Sequence, residues 1–122
     1  MIIADTSVWI EFLRGNEDIS IMFGPYLRKG HIYTTSAIFG ELFQGAKNTR
    51  ERAILNEFWE YLPKVDETDL FIKGGKLSNT YKLYARGVGL IDCTILCASL
   101  DNELALWTLD KKLLEAVELI EK

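Results

Sequence analysis

Ile2-Ile3-Ala4-Asp5-Thr6-Ser7-Val8-Trp9-Ile10-Glu11, residues 2–11, is the stretch on which the fold turns. Three apolar residues in a row are the pattern of a short strand buried on both faces, as in a parallel sheet. The run stops at Asp5-Thr6-Ser7, three residues that cap helices well, and Val8 to Leu13 continue as a short helix closed by Gly15. The same alternation recurs downstream. His31 to Thr34 is β-prone, and Thr35-Ser36 can cap a helix running to Gly45. Leu104 to Trp107 is a second apolar run; Thr108-Leu109-Asp110 follows, and a last helix starts at Lys111. Short apolar strands alternating with helices imply a parallel sheet covered on both faces.

The intervening segments read as helices. Thr49 to Leu62 carries Ile54, Leu55, Phe58, Trp59 and Leu62 at helical spacing and stops at Pro63. Leu70, Gly74, Leu77, Tyr81 and Tyr84 form one amphipathic stripe, broken at Arg86-Gly87-Val88-Gly89. From Asp92 to Leu100 the residues are apolar on nearly every side, the mark of a central helix. Asp18 to Lys29 is helical in pattern but contains Gly24-Pro25, and Glu118 to Ile120 is β-prone enough for a final edge strand. No repeat or linker divides the 122 residues, so a single domain over 1–122 is expected.

Charge narrows the function. Fourteen basic residues against eighteen acidic ones give a net charge of −4, so tight nucleic-acid binding through bulk charge is excluded. Contact with a phosphate backbone must be local or use a bridging cation. Cys93 and Cys97 lie four apart in one helix and read as small packing residues, not as a disulfide framework. With the lone His31 they supply only three soft ligands, which argues against zinc. Asp5 interrupts the first apolar run at once and no run reaches membrane-spanning length, so a reduced, cytoplasmic protein is expected.

Four acids remain. Asp5 and Asp110 follow strands and Asp92 opens the buried helix, each at a junction where α/β proteins gather functional groups. Taken singly, each of the three is accounted for as a helix cap. Glu41 has no such account: it sits about 60° outside the arc of Ile38, Phe39, Leu42 and Phe43 on a helix turning about 100° per residue. By itself it reads as a border glutamate whose stem lies on the core. Together the four tell differently. Carboxylates enclosed by Ile3, Val8, Ile91 and Ile95 are costly unless hydrogen-bonded, protonated or metal-bound. If the sheet brings all four together, hard oxygen ligands select Mg²⁺ or Mn²⁺, and such a centre suits attack of an activated water on a phosphodiester.

These motifs resemble those of the PIN-domain ribonucleases, and among them the VapC-type toxins of prokaryotic toxin–antitoxin pairs. Residues 2–11 are similar to the opening motif with Asp5, 34–45 to the second with Glu41, 89–99 to the third with Asp92, and 106–113 to the fourth with Asp110. The proline often found before the third acid is replaced by Gly87-Val88-Gly89, and Cys93 stands where alanine often follows it. The resemblance implies a PIN-like three-layer α/β/α sandwich whose central, mainly parallel sheet has four to five short strands. It implies an endoribonuclease dependent on Mg²⁺ or Mn²⁺ and neutralised by a VapB-type antitoxin. Asp5 and Asp92 would be the principal ligands, with Glu41 and Asp110 ligating or orienting waters. Thr6, Ser7 and Thr108 would then steady the carboxylates or the scissile phosphate, if they are more than caps.

Two other classes fit parts of the pattern. A phosphatase of haloacid-dehalogenase type also places Asp after the first strand, but needs a second Asp where Ser7 stands. A receiver domain needs a lysine near the end of a late strand, and neither class accounts for Glu41. A catalytically silent interaction module would gain nothing from four clustered acids. Some of Trp9, Phe12, Phe39 and Phe43 are expected to exceed what the core can hide and to form a homodimer surface or an antitoxin groove; the alternative is that all four are core. Arg28, Lys29, Lys47, Arg50 and Arg52 are candidate RNA guides that otherwise read as solvated surface.

Overall fold

The computed structural model describes residues 1–121. Three parallel strands form the sheet: β1 (Ile2–Ala4), β2 (Ile32–Tyr33) and β3 (Ala105–Trp107), in the order β2-β1-β3. Seven α-helices surround it among the described residues: α1 (Thr6–Leu13), α2 (Glu17–Arg28), α3 (Ser36–Gln44), α4 (Thr49–Tyr61), α5 (Leu70–Tyr81), α6 (Leu90–Asp101) and α7 (Lys111–Glu121). The connection from β1 to β2 carries α1 and α2, and the one from β2 to β3 carries α3 to α6. The first crossover moves from β1 to the β2 edge, and the second runs back from β2 past β1 to the β3 edge. Because they run in opposite directions, right-handed connections lay helices on both faces, the three-layer α/β/α sandwich.

The central strand is the one the opening stretch predicts. Ile3 and Ala4 are fully buried, and Ile3 pairs with Tyr33 on one side and Leu106 on the other. The sheet is smaller than the four to five strands expected. Beyond the three strands there is a single bridge among the described residues, Thr34 to Lys64, and Glu118–Ile120 belongs to α7. The helical reading wins there because Leu113, Ala116, Val117 and Ile120 fall on one face, with Leu113 and Ala116 buried. Pro25 does not break α2: it sits in the last turns, where its missing N–H removes one ladder bond.

α6 explains its own uniform apolarity. Cys93 to Ser99 are all buried. Ile95, Cys97 and Ala98 join the main core with β1, α1 and α3, while Cys93 and Leu96 join a smaller cluster with Leu83, Val88, Leu113 and Ala116. Both cysteines are free thiols inside the helix, and burial pushes each thiol up from its ordinary value. α5 lies close against α6, because a Cβ on Gly74 would come within 3.0 Å of the Thr94 backbone nitrogen. Backbone cannot yield as a side-chain tip can. Gly74→Ala is therefore expected to separate the two helices and lower stability by about 1–3 kcal/mol, read as a shifted urea midpoint. An unchanged midpoint would contradict this packing.

The aromatic surplus is absorbed inside. Trp9 is fully buried, with its ring 4.9 Å from Phe23, 5.3 Å from both Phe39 and Phe58, and 6.0 Å from Phe12. Phe39 is buried as well, and Phe12 and Phe43 are half-buried against the same core. Trp9 and Phe39 are thus core residues, while Phe12 and Phe43 keep part of their rings at the surface. The apolar side chains that do face solvent beside them are aliphatic: Ile10, Leu13 and Ile54.

Candidate metal centre

The register of the sheet builds the site. Ala4 pairs with Trp107, so the residues that follow each strand leave the sheet side by side. The Asp5 backbone N–H donates to the Trp107 carbonyl at 3.0 Å. Thr108 Oγ1 then donates to Asp5 Oδ2. This is the carboxyl end of the strands, where the chain leaves β1 toward β2 while β3 lies on its other side, the position at which open α/β sheets hold ligands.

Asp5 is 3% exposed and is the most heavily bonded of the four acids. It caps α1, accepting from the Val8 N–H at 3.3 Å and from Ser7 Oγ at 2.5 Å, in addition to Thr108. The two hydroxyls are themselves fixed. Ser7 Oγ accepts from the Leu109 N–H at 3.0 Å, and Thr108 Oγ1 accepts from the Asp110 N–H at 3.0 Å. A loop after β3 and a helix after β1 are thereby tied together through one carboxylate. Asp110 caps the start of α7, its Oδ1 accepting from the N–H groups of Lys112 at 2.8 Å and Leu113 at 3.2 Å. Glu41 is exposed on the border of α3, next to buried Leu42, and accepts from Thr6 Oγ1 at 2.6 Å. The hydroxyls of Thr6, Ser7 and Thr108 are thus all spent on carboxylates, and none is merely a cap.

Asp92 departs from its expected place. α6 begins at Leu90 with Gly89 as the cap position, so Asp92 is the third helical residue and caps nothing. A glycine cap carries no side-chain signal, which is why the sequence pattern set the helix start two residues late. Asp92 is half-buried. Burial first, then the negative charges of Asp110, Asp5 and Glu41, push its carboxyl from 3.8 to about 6. The charges of the other three acids thus all act on Asp92.

All donors here are carboxylate or hydroxyl oxygens, the chemistry that suits Mg²⁺ or Mn²⁺ and not zinc. As the side chains stand, no three of the described His, Cys, Asp and Glu residues form a set that could hold one metal ion. Glu41 is turned to Thr6 and Asp5 is held by Ser7, Val8 and Thr108. Glu41 and Asp110 are exposed, but turning either away from its present place breaks the bond from Thr6 or the cap of α7. The residues fit a hard divalent cation in kind and in charge.

The raised carboxyl of Asp92 has a consequence for stability. Its proton is held more tightly in the folded chain, so between about pH 4 and pH 6 the folded state binds more protons and gains stability as pH falls. Solvent screening at a half-exposed group reduces the gain to about 1 kcal/mol. Asp66, lowered by its hydrogen bonds from Thr68, acts in the opposite sense but only below the ordinary carboxylate range. Urea unfolding in EDTA is expected to show a parent-minus-Asp92→Asn difference that favours the parent more at pH 5 than at pH 7. A difference constant with pH would refute the coupling.

Among known proteins, no curated sequence matches the chain significantly. A family model described as PIN domain matches residues 2–119. That match spans the sheet, all four acids and nearly the whole of α7. The chain belongs to the PIN-domain family and carries its nuclease-type fold.

Proposed function

We propose that this protein is a divalent-metal-dependent endoribonuclease, the toxin component of a type II toxin–antitoxin pair acting in the cytoplasm. The observation that carries the reading is the coupling of Asp92 to Asp110, Asp5 and Glu41 at the carboxyl end of the strands. Clustered like charge in a half-buried position is unfavourable in the free protein and needs a compensating use. PIN-domain nucleases typically use divalent metals. Asp5 and Asp92 would hold the Mg²⁺ or Mn²⁺ ion, with Glu41 and Asp110 ligating or orienting waters. When bound, such an ion supplies positive charge at the phosphate and an activated water.

The protein's own contribution is orientation. Ser7 and Thr108 fix the Asp5 carboxylate from both sides, and Thr6 holds Glu41 at the opposite rim. No histidine stands near enough in sequence or motif to pair for metal-free acid–base work, because His31 is the only one. Purified protein is expected to degrade RNA with Mg²⁺ or Mn²⁺ and to stop on addition of EDTA. Undiminished cleavage in EDTA would sink the mechanism, and intact RNA in every buffer would favour an interaction module.

The partner reading rests on a groove of about 370 Å³ between α1, α3 and α4. Ile10, Leu13, Leu42 and Ile54 line it together with Arg14, Lys47 and Glu41. A VapB-type antitoxin segment lying there would cover Glu41. A homodimer is the second proposed assembly, supported by Ile21, Met22 and Tyr26, which stand exposed on α2. No helix among the described residues is long and apolar enough to cross a membrane.

A further inference from the structure

Tyr84 continues the spacing of the α5 stripe, yet it is not on that helix. α5 ends at Tyr81, Lys82 takes left-handed backbone (φ 58°), and a single 3-10 turn, Tyr84–Arg86, follows. Leu83 and Val88 pin this segment into the smaller core cluster, and a backbone bond joins Val88 N–H to the Leu83 carbonyl at 3.0 Å. Between those two anchors Tyr84 stands 85% exposed. An aromatic ring held in water on a pinned turn is a stacking platform without a partner.

Two cations adjoin this segment, Arg86 on the turn and Lys112 on α7. Among the described residues the ion pairs are Arg14–Glu11 and Lys73–Asp101, so Arg86 and Lys112 are uncommitted. Lys112 lies across Gly87: a Cβ there would come within 2.7 Å of its Nζ and 3.0 Å of its Cδ. Gly87 has φ 85° and no side chain, which makes room for the lysine and suits the turn. The backbone of Lys112 meanwhile donates to Asp110, and the turn runs through Gly89 into the helix that carries Asp92. The segment that carries the ring and the guanidinium thus leads within six residues into Asp92, and the lysine stands two residues from Asp110 on α7. In a chain of net charge −4, this is the local positive surface that phosphate contact requires.

We propose that the 82–89 turn is a ledge for single-stranded RNA, with one unpaired base stacked on Tyr84 and backbone phosphates held by Arg86 and Lys112. The ledge deepens the nuclease reading and rests on it for the identity of the nucleic acid. Stacking needs a free base face, which a duplex withholds, so the substrate class is single-stranded. The candidate guides Arg28, Lys29, Lys47, Arg50 and Arg52 lie on or beside α2 and α4, not on this turn.

The test separates binding from cleavage. Fluorescence anisotropy in EDTA would follow a labelled oligouridylate of about 12 nucleotides, within the range that single-strand grooves cover. Tyr84→Ala is expected to weaken binding about tenfold, Tyr84→Phe by less than about twofold, and Tyr61→Ala at the exposed end of α4 not at all. The Arg86→Gln, Lys112→Gln double variant is expected to flatten the plot of log affinity against log salt by about 1.4, two phosphate contacts at about 0.7 each. Should Tyr84→Ala melt lower than the parent, Tyr84→Gln, which is long and polar but has no ring face, replaces it. Parent-like affinity of the folded Tyr84 variants, an unchanged salt slope, or equal binding of a duplex of the same length would overturn the ledge. Cleavage by the parent in Mg²⁺ is scored separately: RNA bound through Tyr84 but never cut would refute the nuclease reading and leave the ledge standing.

Discussion

Asp92→Asn is expected to leave RNA uncut in Mg²⁺ while melting no lower than the parent, and in EDTA somewhat higher. Two facts combine in this expectation. Asp92 caps nothing, so the substitution removes no helix-terminal hydrogen bond. Its carboxyl is pushed to about 6 by burial and by Asp110, Asp5 and Glu41, so ionising it at neutral pH works against the fold. After discounting for solvent, relief of that strain is about 1 kcal/mol, or roughly 3–5 °C for a chain of this size. Added Mg²⁺ should stabilise the parent by linkage, about 2.7 kcal/mol when the ion stands at about 100 times its dissociation constant. The variant, lacking a principal ligand, should lose most of that gain. Thermal melts of both proteins in EDTA and in Mg²⁺ decide the matter. If Mg²⁺ raises the melting temperature of Asp92→Asn as far as that of the parent, the carboxylates do not form a metal centre around this residue.

The strand-to-helix opening was legible because both signals are local. Ile2-Ile3-Ala4 is apolar without alternation, and Asp5 is a good cap, so the pattern states both the buried strand and the place where it ends. Thr35 before α3 follows the same logic, its Oγ1 accepting from the Ile38 N–H. The helical wheel of α3 likewise set Glu41 on the border of the buried face, where it stands exposed beside Leu42. What could not be read is what depends on conformation without a residue signal. Lys82 adopts left-handed backbone although it is neither glycine nor asparagine, so the stripe ran on to Tyr84 in pattern while the chain turned away. Gly89 caps α6 without a side chain, which hid the true position of Asp92. Residues 118–120 are β-prone one by one, but Leu113 and Ala116 commit their face of α7 to the core. The network among Thr6, Ser7, Thr108 and the acids depends on the register of β1 with β3, a contact between residues about a hundred positions apart.

That network makes Asp5 the opposite of Asp92 in its effect on folding. Asp5→Ala also removes a negative charge from the cluster, so on repulsion alone it should stabilise. The hydrogen bonds outweigh this. Asp5 accepts from Ser7 Oγ, the Val8 N–H and Thr108 Oγ1 while almost wholly buried. Loss of the cap costs about 1 kcal/mol. Thr108 is buried, and its hydroxyl would lose the acceptor of its proton in a place water does not reach, about 1–3 kcal/mol more. Ser7 is less enclosed and is resolvated more cheaply. Against a gain of about 1 kcal/mol from relieved repulsion, a net loss of about 2 kcal/mol is expected, a fall of roughly 6–10 °C. Asp5→Asn should lie between, since its amide oxygen still caps α1 and its NH₂ can donate to Thr108 Oγ1. The order of melting temperatures in EDTA is therefore Asp92→Asn at or above the parent, then Asp5→Asn, then Asp5→Ala. Both Asp5 variants should also leave RNA uncut. An Asp5→Ala protein as stable as the parent would mean that the tie between the end of β1 and the loop after β3 contributes nothing to the fold.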